Sequence, residues 1–279
     1  MSPPSLGVVV PSLNAADTIG STLRSLQPAV DAGAQVIVVD GGSTDGTVEA
    51  ARAVGVTVLH HDGGMYAALN AGFRQMRCDW LTWINADDLL YCSALWPRFA
   101  EAGDAAVTYG PVDFLDTAGR FVHCWRSARP RDLLRLYRAG YSPLLQQGTL
   151  FHHDVYEELG GFVEDYRLVA DADFWWRALE RGFSFHRSSY PPVAGFRLHA
   201  AQLSQRRAGD MKLEHRRMVD AHGGQRRTPS SWLALGRHRC HNLSGYVVRA
   251  LRRRDLEGHA RLVASYDVVR DDPTIRVPS

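Results

Sequence analysis

The first hundred residues predict a mostly parallel α/β sheet flanked by helices. Short apolar runs alternate with stretches of helical spacing. Each run is continuously apolar, as strands covered on both faces are. A third observation points to a site. Asn14, Asp40, Asp62, Asp87 and Asp88 all fall where such runs end. Open parallel sheets bind ligands beyond the carboxyl ends of their strands.

The elements follow in order. "LGVVVPSLN" (6–14) reads as a buried strand that stops at Pro11. Ile19, Leu23 and Leu26 space a helix over 16–27, with Asp17 or Thr18 near its start. "AQVIVVDGGSTDGT" (34–47) repeats the plan: a strand Val36–Val39, Asp40 at its end, a Gly/Ser/Thr/Asp turn, then a helix from Thr47. "VTVLHH" (56–61) is a third strand, followed by a helix near Tyr66–Met76. "DWLTWINADD" is a fourth strand ending on two adjacent carboxylates.

Beyond residue 105 the pattern changes. Two strands flank the turn "DTAG", and a basic helix covers 130–138. "YSPLLQQGTLFHHDVYEELGGF" reads as a loop, a short strand and a helix closed by Gly160 and Gly161. "ADADFWWRALERG" is a helix with acids in its first turn, closed by Gly182. The last sixty residues read as basic helices: "MKLEHRRMVDAHGG", "SSWLALGRHRCHNLSGYVVRALRRRD" and "LEGHARLVASYDVV".

Composition narrows the class. The chain has 279 residues, enough for a full core. It is 45% hydrophobic and 22% charged, with net charge +2, so bulk electrostatics gives no reason to expect nucleic-acid binding. Its four cysteines form no C-x-x-C pair, which argues against zinc and fits a reducing cytosol. The N-terminus has neither the charged nor the long apolar region of a signal peptide. No apolar run approaches the ~20 residues of a membrane span.

"WINADDLL" (83–90) raises a chemical question. Adjacent carboxylates raise each other's pKa unless positive charge lies between them. A divalent cation or a helix N-terminus could supply it. Five blocks bear on the choice: "VVVPSLNAADTIGSTLRSL", "VIVVDGGSTDGT", "DGGMYAALNAGF", "INADDLL" and "LGGFVEDYRLVADADFWWRAL". In this order, over roughly residues 6–200, they resemble the family 2 glycosyltransferases, inverting enzymes of the GT-A fold that use nucleotide-sugars. At a finer level "DGGSTDGT" with "GMYAALNAG" is similar to bacterial sugar transferases of cell-surface glycans and glycolipids.

The resemblance implies a division of labour. Residues 1–125 would form the nucleotide-sugar half, 126–222 the acceptor half, and 223–279 a basic helical extension. "NADD" would be the metal and ribose motif. Asp87 and Asp88 are the expected ligands of Mn²⁺ or Mg²⁺, with His199 as a further ligand and Asn85 facing the ribose. Asn85 stands where the family usually has an acid, and an amide is a weaker metal ligand. A hard cation would stabilise charge on a diphosphate leaving group as a Lewis acid. The bland alternative has Asp88 capping the following helix and Asp87 merely exposed.

Asp40 would meet the nucleobase, flanked by Pro11, Ser12 and Gly41, with Asn14 nearby. Without the resemblance it reads as a loop carboxylate satisfying turn N–H groups. Asp62 and Asn70 match the family's polar sugar-phosphate positions. Ala67 and Ala71 replace an acid and a base common there, and Tyr66 is either a site residue or a core aromatic. Inversion needs a carboxylate to take the acceptor's proton. Alignment favours Asp171 for this, with Asp173 the alternative or a structural partner of Arg177. Gln146, Gln147, His152 and His153 sit where acceptor loops would lie.

The expected activity is transfer of a hexose, from a UDP-sugar, to a hydroxyl of a saccharide, glycolipid or small natural product. The expected location is the cytoplasm. Two readings compete for the C-terminal region: a helical cap with its arginines in solvent, and a peripheral contact with the inner membrane face. Rival functions are a sugar nucleotidyltransferase, which needs a basic Gly-rich loop that "VPSLNAADT" lacks, and a binding protein without turnover.

Overall fold

The computed structural model describes residues 4–188, 191–199, 202–224 and 227–251. The helix expected over "LEGHARLVASYDVV" lies outside them. The chain runs β1 (Leu6–Ser12), α1 (Ala16–Asp31), β2 (Gln35–Asp40), α2 (Thr47–Ala53), β3 (Thr57–His60), α3 (Met65–Phe73), β4 (Trp80–Trp83), β5 (Leu89–Leu90) and α4 (Leu95–Ala102). It continues with β6 (Val107–Tyr109), β7 (Val112–Leu115), β8 (Phe121–Trp125), α5 (Pro130–Arg138), β9 (Thr149–His152), α6 (His153–Leu159), α7 (Ala170–Glu180) and β10 (Phe185–Arg187). The last elements are β11 (Ala194–Arg197), α8 (Leu203–Arg206), α9 (Ala208–Ala221), α10 (Pro229–His241) and α11 (Leu243–Leu251).

Seven strands form the main sheet in the order β10-β6-β9-β4-β1-β2-β3. Strand β9 alone runs against its neighbours β4 and β6. A second sheet, β5-β11-β7-β8, was not foreseen. Its strands β5 and β11 are two and four residues long, too short to show a period in sequence.

The apolar runs make sense against the two cores. Val9 packs with Ile37, Val39, Trp83 and Trp175 on one face of the sheet. Val8 and Val10 pack with Ile19, Leu23 and Leu26 of α1 on the other. Successive strand residues point to opposite faces, so a strand covered on both must be apolar throughout. Trp83 and Trp175 lie nearly parallel at 6.0 Å, joining the end of β4 to α7.

Strand β1 does not stop at Pro11. The ladder to β4 ends at Val9↔Trp83, so the missing Pro11 N–H costs no bond there. Helix α3 approaches the sheet through Gly72, where a Cβ would lie 2.8 Å from both methyls of Val9. Gly72→Val is expected to lower stability by ~1–3 kcal/mol, read by urea unfolding, because neither the strand nor the helix can retreat.

The C-terminal segment breaks at Asn242, which is fully buried. Its side chain accepts the Arg126 N–H at 2.8 Å and donates to the Arg126 carbonyl at 2.9 Å, pinning the α10–α11 joint to the end of β8. Helices α10 and α11 pack on the rest of the chain, with Arg237 on Asp132 and Tyr246 on Trp125. Ala234 and Leu235 are buried, but Leu233, Leu243 and Leu251 are exposed, the last by 82%. Among the described residues no helix is long and apolar enough to cross a membrane.

Candidate functional site

The carboxyl ends of β1, β2 and β4 bring three loops together. After β2, Asp40 Oδ2 accepts the N–H groups of Gly42 and Ser43 at 2.9 and 2.8 Å. Its Oδ1 takes the hydroxyls of Ser43 and Ser12 at 2.5 and 3.2 Å. Burial works to raise its pKa, but these bonds from Ser43, Gly42 and Ser12 outweigh it and hold the carboxyl below its usual range. All four acceptor directions of Asp40 are therefore occupied. The turn-satisfying role is realised, and a nucleobase would have to displace a serine hydroxyl.

Beside it, Asn14 adopts a positive φ of 48° and accepts the Thr44 N–H at 2.9 Å. A Cβ on Gly41 would sit 3.4 Å from the Ser12 carbonyl and 3.6 Å from Leu13, so the two loops touch. Leu13 is 61% exposed between Ser12 and Asn14, an apolar surface at the strand end. Sequence reasoning passed over it because it continues the apolar run of β1.

The turn after β4 separates its two carboxylates sharply. Asp88 is fully buried. Its Oδ1 accepts the Arg197 N–H at 2.9 Å, and its Oδ2 accepts the amides of Asn85 and Gln147 at 3.0 and 3.1 Å. Burial, with Asp87 adding to it, pushes its pKa well up. Asp88 thus ties β4, the 146–148 turn and β11 together, and it caps no helix. Asn85 and Gln147 both donate to it. Gln146 donates to the Trp83 carbonyl at 2.5 Å.

Asp87 faces outward. Its Oδ2 lies 2.8 Å from His199 Nε2, with side chains 25% and 22% exposed. Arg197 fixes this corner by donating from Nε to the Asp87 carbonyl at 2.9 Å and from Nη2 to Ser21 Oγ at 3.2 Å. His199 follows β11, so the second sheet delivers it. Among the described residues no group of three or more His, Cys, Asp or Glu could hold a metal alone. A carboxylate with an imidazole fits Mn²⁺ or Mg²⁺ when substrate phosphates complete the shell.

At the start of α7 the two acids also diverge. Asp171 Oδ1 accepts the Tyr66 hydroxyl at 2.9 Å. Burial raises the Asp171 pKa, and the Tyr66 bond is the largest opposing effect. Tyr66 itself is 4% exposed. It is thus a core aromatic with a polar tip on Asp171. Asp173 takes the role of a structural partner of Arg177. It is buried between Arg177 Nε at 2.7 Å and His222 Nε2 at 2.8 Å.

The bond to Asp173 raises the His222 pKa against the opposing effect of burial. A raised folded pKa gives stability that is complete below the unfolded value of ~6.5 and lost as pH rises through the folded one. Wild-type stability is therefore expected to fall as pH climbs above ~6.5, and the slope should become shallower in His222→Gln. Urea unfolding across that range checks it.

Asn70 is 1% exposed; it bonds the Phe162 backbone through both its oxygen and its amide at 2.9 Å, and its amide also reaches the Glu164 carboxylate at 2.9 Å. Asp62 is exposed in the loop before α3. That loop holds a residue the sequence reading missed. Arg167, which is exposed, donates to the Gly63 carbonyl. His152 packs on Trp80 at 4.1 Å, and His153 pairs with Glu157 at 3.8 Å, so neither reaches the cleft.

Comparisons with known proteins bear on the family and the fold. The family model described as "Glycosyl transferase family 2" matches residues 7–159. A "PGL/p-HBAD biosynthesis glycosyltransferase" of Mycobacterium bovis is 29% identical over 185 residues, covering 62% of this chain and 69% of that protein. Among solved structures, S. aureus TarS 1-349 superposes with TM-score 0.60 at 18% identity, covering 78% of this chain. The chain spans 64% of that structure's length. TarS 1-349 has also been solved with UDP-GlcNAc. Glucosyl-3-phosphoglycerate synthase from Mycobacterium tuberculosis, in complex with Mn²⁺, UDP and phosphoglyceric acid, gives TM-score 0.55 at 17% identity, covering 81% of this chain and 80% of that one.

Proposed function

Starting from the fact that the chain belongs to glycosyl transferase family 2 and is a glycosyltransferase of GT-A fold, we propose that it is an inverting hexosyltransferase using a UDP-sugar. Its acceptor is a hydroxyl on a cell-surface saccharide or glycolipid. The observation that carries this reading is the outward Asp87–His199 pair at the carboxyl end of β4, beside the loops that follow β1 and β2.

The base lies against Leu13 in the loop formed by Pro11, Ser12, Asn14, Asp40 and Gly41. Asp87 and His199 hold Mn²⁺ or Mg²⁺, which as a Lewis acid neutralises charge on the leaving diphosphate. Arg167 supplies the fixed cation beside Asp62 and Gly63 that Ala71 does not. Asp171 takes the proton from the acceptor hydroxyl, and Tyr66 fixes its orientation. Residues 1–125 serve the donor, 126–222 the acceptor. The protein works at the cytoplasmic membrane face, with Leu243 and Leu251 of α11 meeting lipid.

A thermal-shift panel tests the reading. UDP is expected to raise Tm far more with Mn²⁺ present, since a ligand at 100 times its Kd adds ~2.7 kcal/mol. No shift with any nucleoside diphosphate, with or without metal, would refute it.

A further inference from the structure

A shallow recess rimmed by basic side chains lies away from this site, between β10, the N-terminal end of α5 and the C-terminal half of α10. Arg129, Arg187, Arg237, His238 and His241 line it with one acid, Asp132. Asp132 is already spent. It is 2% exposed and takes Arg237 at 2.6 Å and Arg135 at 3.4 Å. Arg187 is half-buried, and among the described residues it meets no carboxylate, reaching only the Ser127 carbonyl at 3.4 Å. Arg129, also half-buried, forms no ion pair with a described residue.

The surroundings report the same excess of positive charge. Burial lowers the Arg187 pKa, opposed by Tyr109, and Arg129 and Arg126 lower it further. Burial, His241, Arg187 and Arg239 together push His238 down to about 4. Two half-buried guanidiniums facing a recess without a counter-ion are an unfavourable arrangement unless an anion enters. Arginine forks match the geometry of phosphate oxygens.

We propose that this recess is a phosphate-binding site, held by Arg187 and Arg129 with Arg237 and His238 at its wall. Strand β10 runs parallel to β6, and β6 runs against β9, which runs against β4. Its Arg187 end therefore opens on the same edge of the sheet as Asp87. Three strand spacings, roughly 14 Å, separate β10 from β4, whose following turn carries Asp87. An acceptor carrying a phosphate can bridge that span. This last assignment rests on the transfer reaction proposed above; phosphate binding does not.

The test reads His238 directly by NMR titration of its ring protons, in full-length protein with and without inorganic phosphate. Bound phosphate should move its midpoint upward from about 4, because the anion favours the charged ring. Arg187→Ala and, separately, Arg129→Ala should each weaken the apparent phosphate affinity by ~10-fold or more. The half-exposed Arg129 keeps the test decisive if Arg187→Ala folds poorly. Dihexanoyl-phosphatidylglycerol, a soluble phosphodiester, separates sources. If it shifts His238 as phosphate does, lipid headgroups fit; if inorganic phosphate acts alone, the site takes a free monoester. A His238 midpoint untouched by both, or a phosphate affinity unchanged from wild type in both variants, overturns the proposal.

Discussion

Asp171→Asn is expected to leave nucleotide binding intact and lower the rate of sugar transfer by ~10²–10⁴-fold, the usual contribution of a positioned general base. The comparison of kcat with calorimetric affinity for UDP separates the two. Burial gives the reaction a second signature. It raises the Asp171 pKa above the ordinary carboxylate range, so the active, deprotonated form fills only at correspondingly higher pH. The Tyr66 hydroxyl opposes that rise by donating to the charged oxygen. Tyr66→Phe should therefore move the acid limb of the pH–rate profile to still higher pH. An unmoved acid limb would mean that another group sets it.

Asp87 and Asp88 are expected to fail in different ways when each is replaced by alanine. Asp87→Ala should fold normally and lose metal-stimulated turnover, because His199 alone remains at that corner. Asp88→Ala strands three buried donors: the Arg197 N–H and the amides of Asn85 and Gln147. At ~1–3 kcal/mol for each unsatisfied group, that loss is comparable to a large part of a domain's stability. Urea unfolding should show the Asp88 variant severely destabilised and the Asp87 variant near wild type. If the Asp88 variant is stable and merely loses its metal response, this structural assignment fails.

The strands of the first hundred residues were legible because both faces of the main sheet are covered. That forces Val8, Val9 and Val10 to be apolar together, whichever core each one faces. The location of the site was legible for a related reason, since polar residues at strand ends stand out against such runs. The roles of individual polar residues were not. Asn70, Asp88 and Asp173 look in sequence like Asp87 and Asp171. What distinguishes them is a partner far along the chain, such as Phe162 for Asn70 or Arg197 for Asp88. Nothing local to a buried acceptor reveals the donor that folding brings to it. The second sheet was hidden because its short strands carry no period, and with it went the route by which His199 arrives.

The position of β9 bears on how such proteins can be altered. This strand comes from the proposed acceptor half, yet it lies between β4 and β6 of the proposed donor half. A fragment ending at residue 125 would lose β9, β10 and β11, leaving β4 with an unpaired edge and β6 with no partner in the main sheet, both open to pairing with another chain. The proposed donor and acceptor halves share one sheet, so they are not separable cassettes. Grafting an acceptor half from a relative would replace part of the wall behind the donor site as well. New acceptor preferences are more accessible through changes in loops and helices outside the sheet, where no strand has to be re-paired.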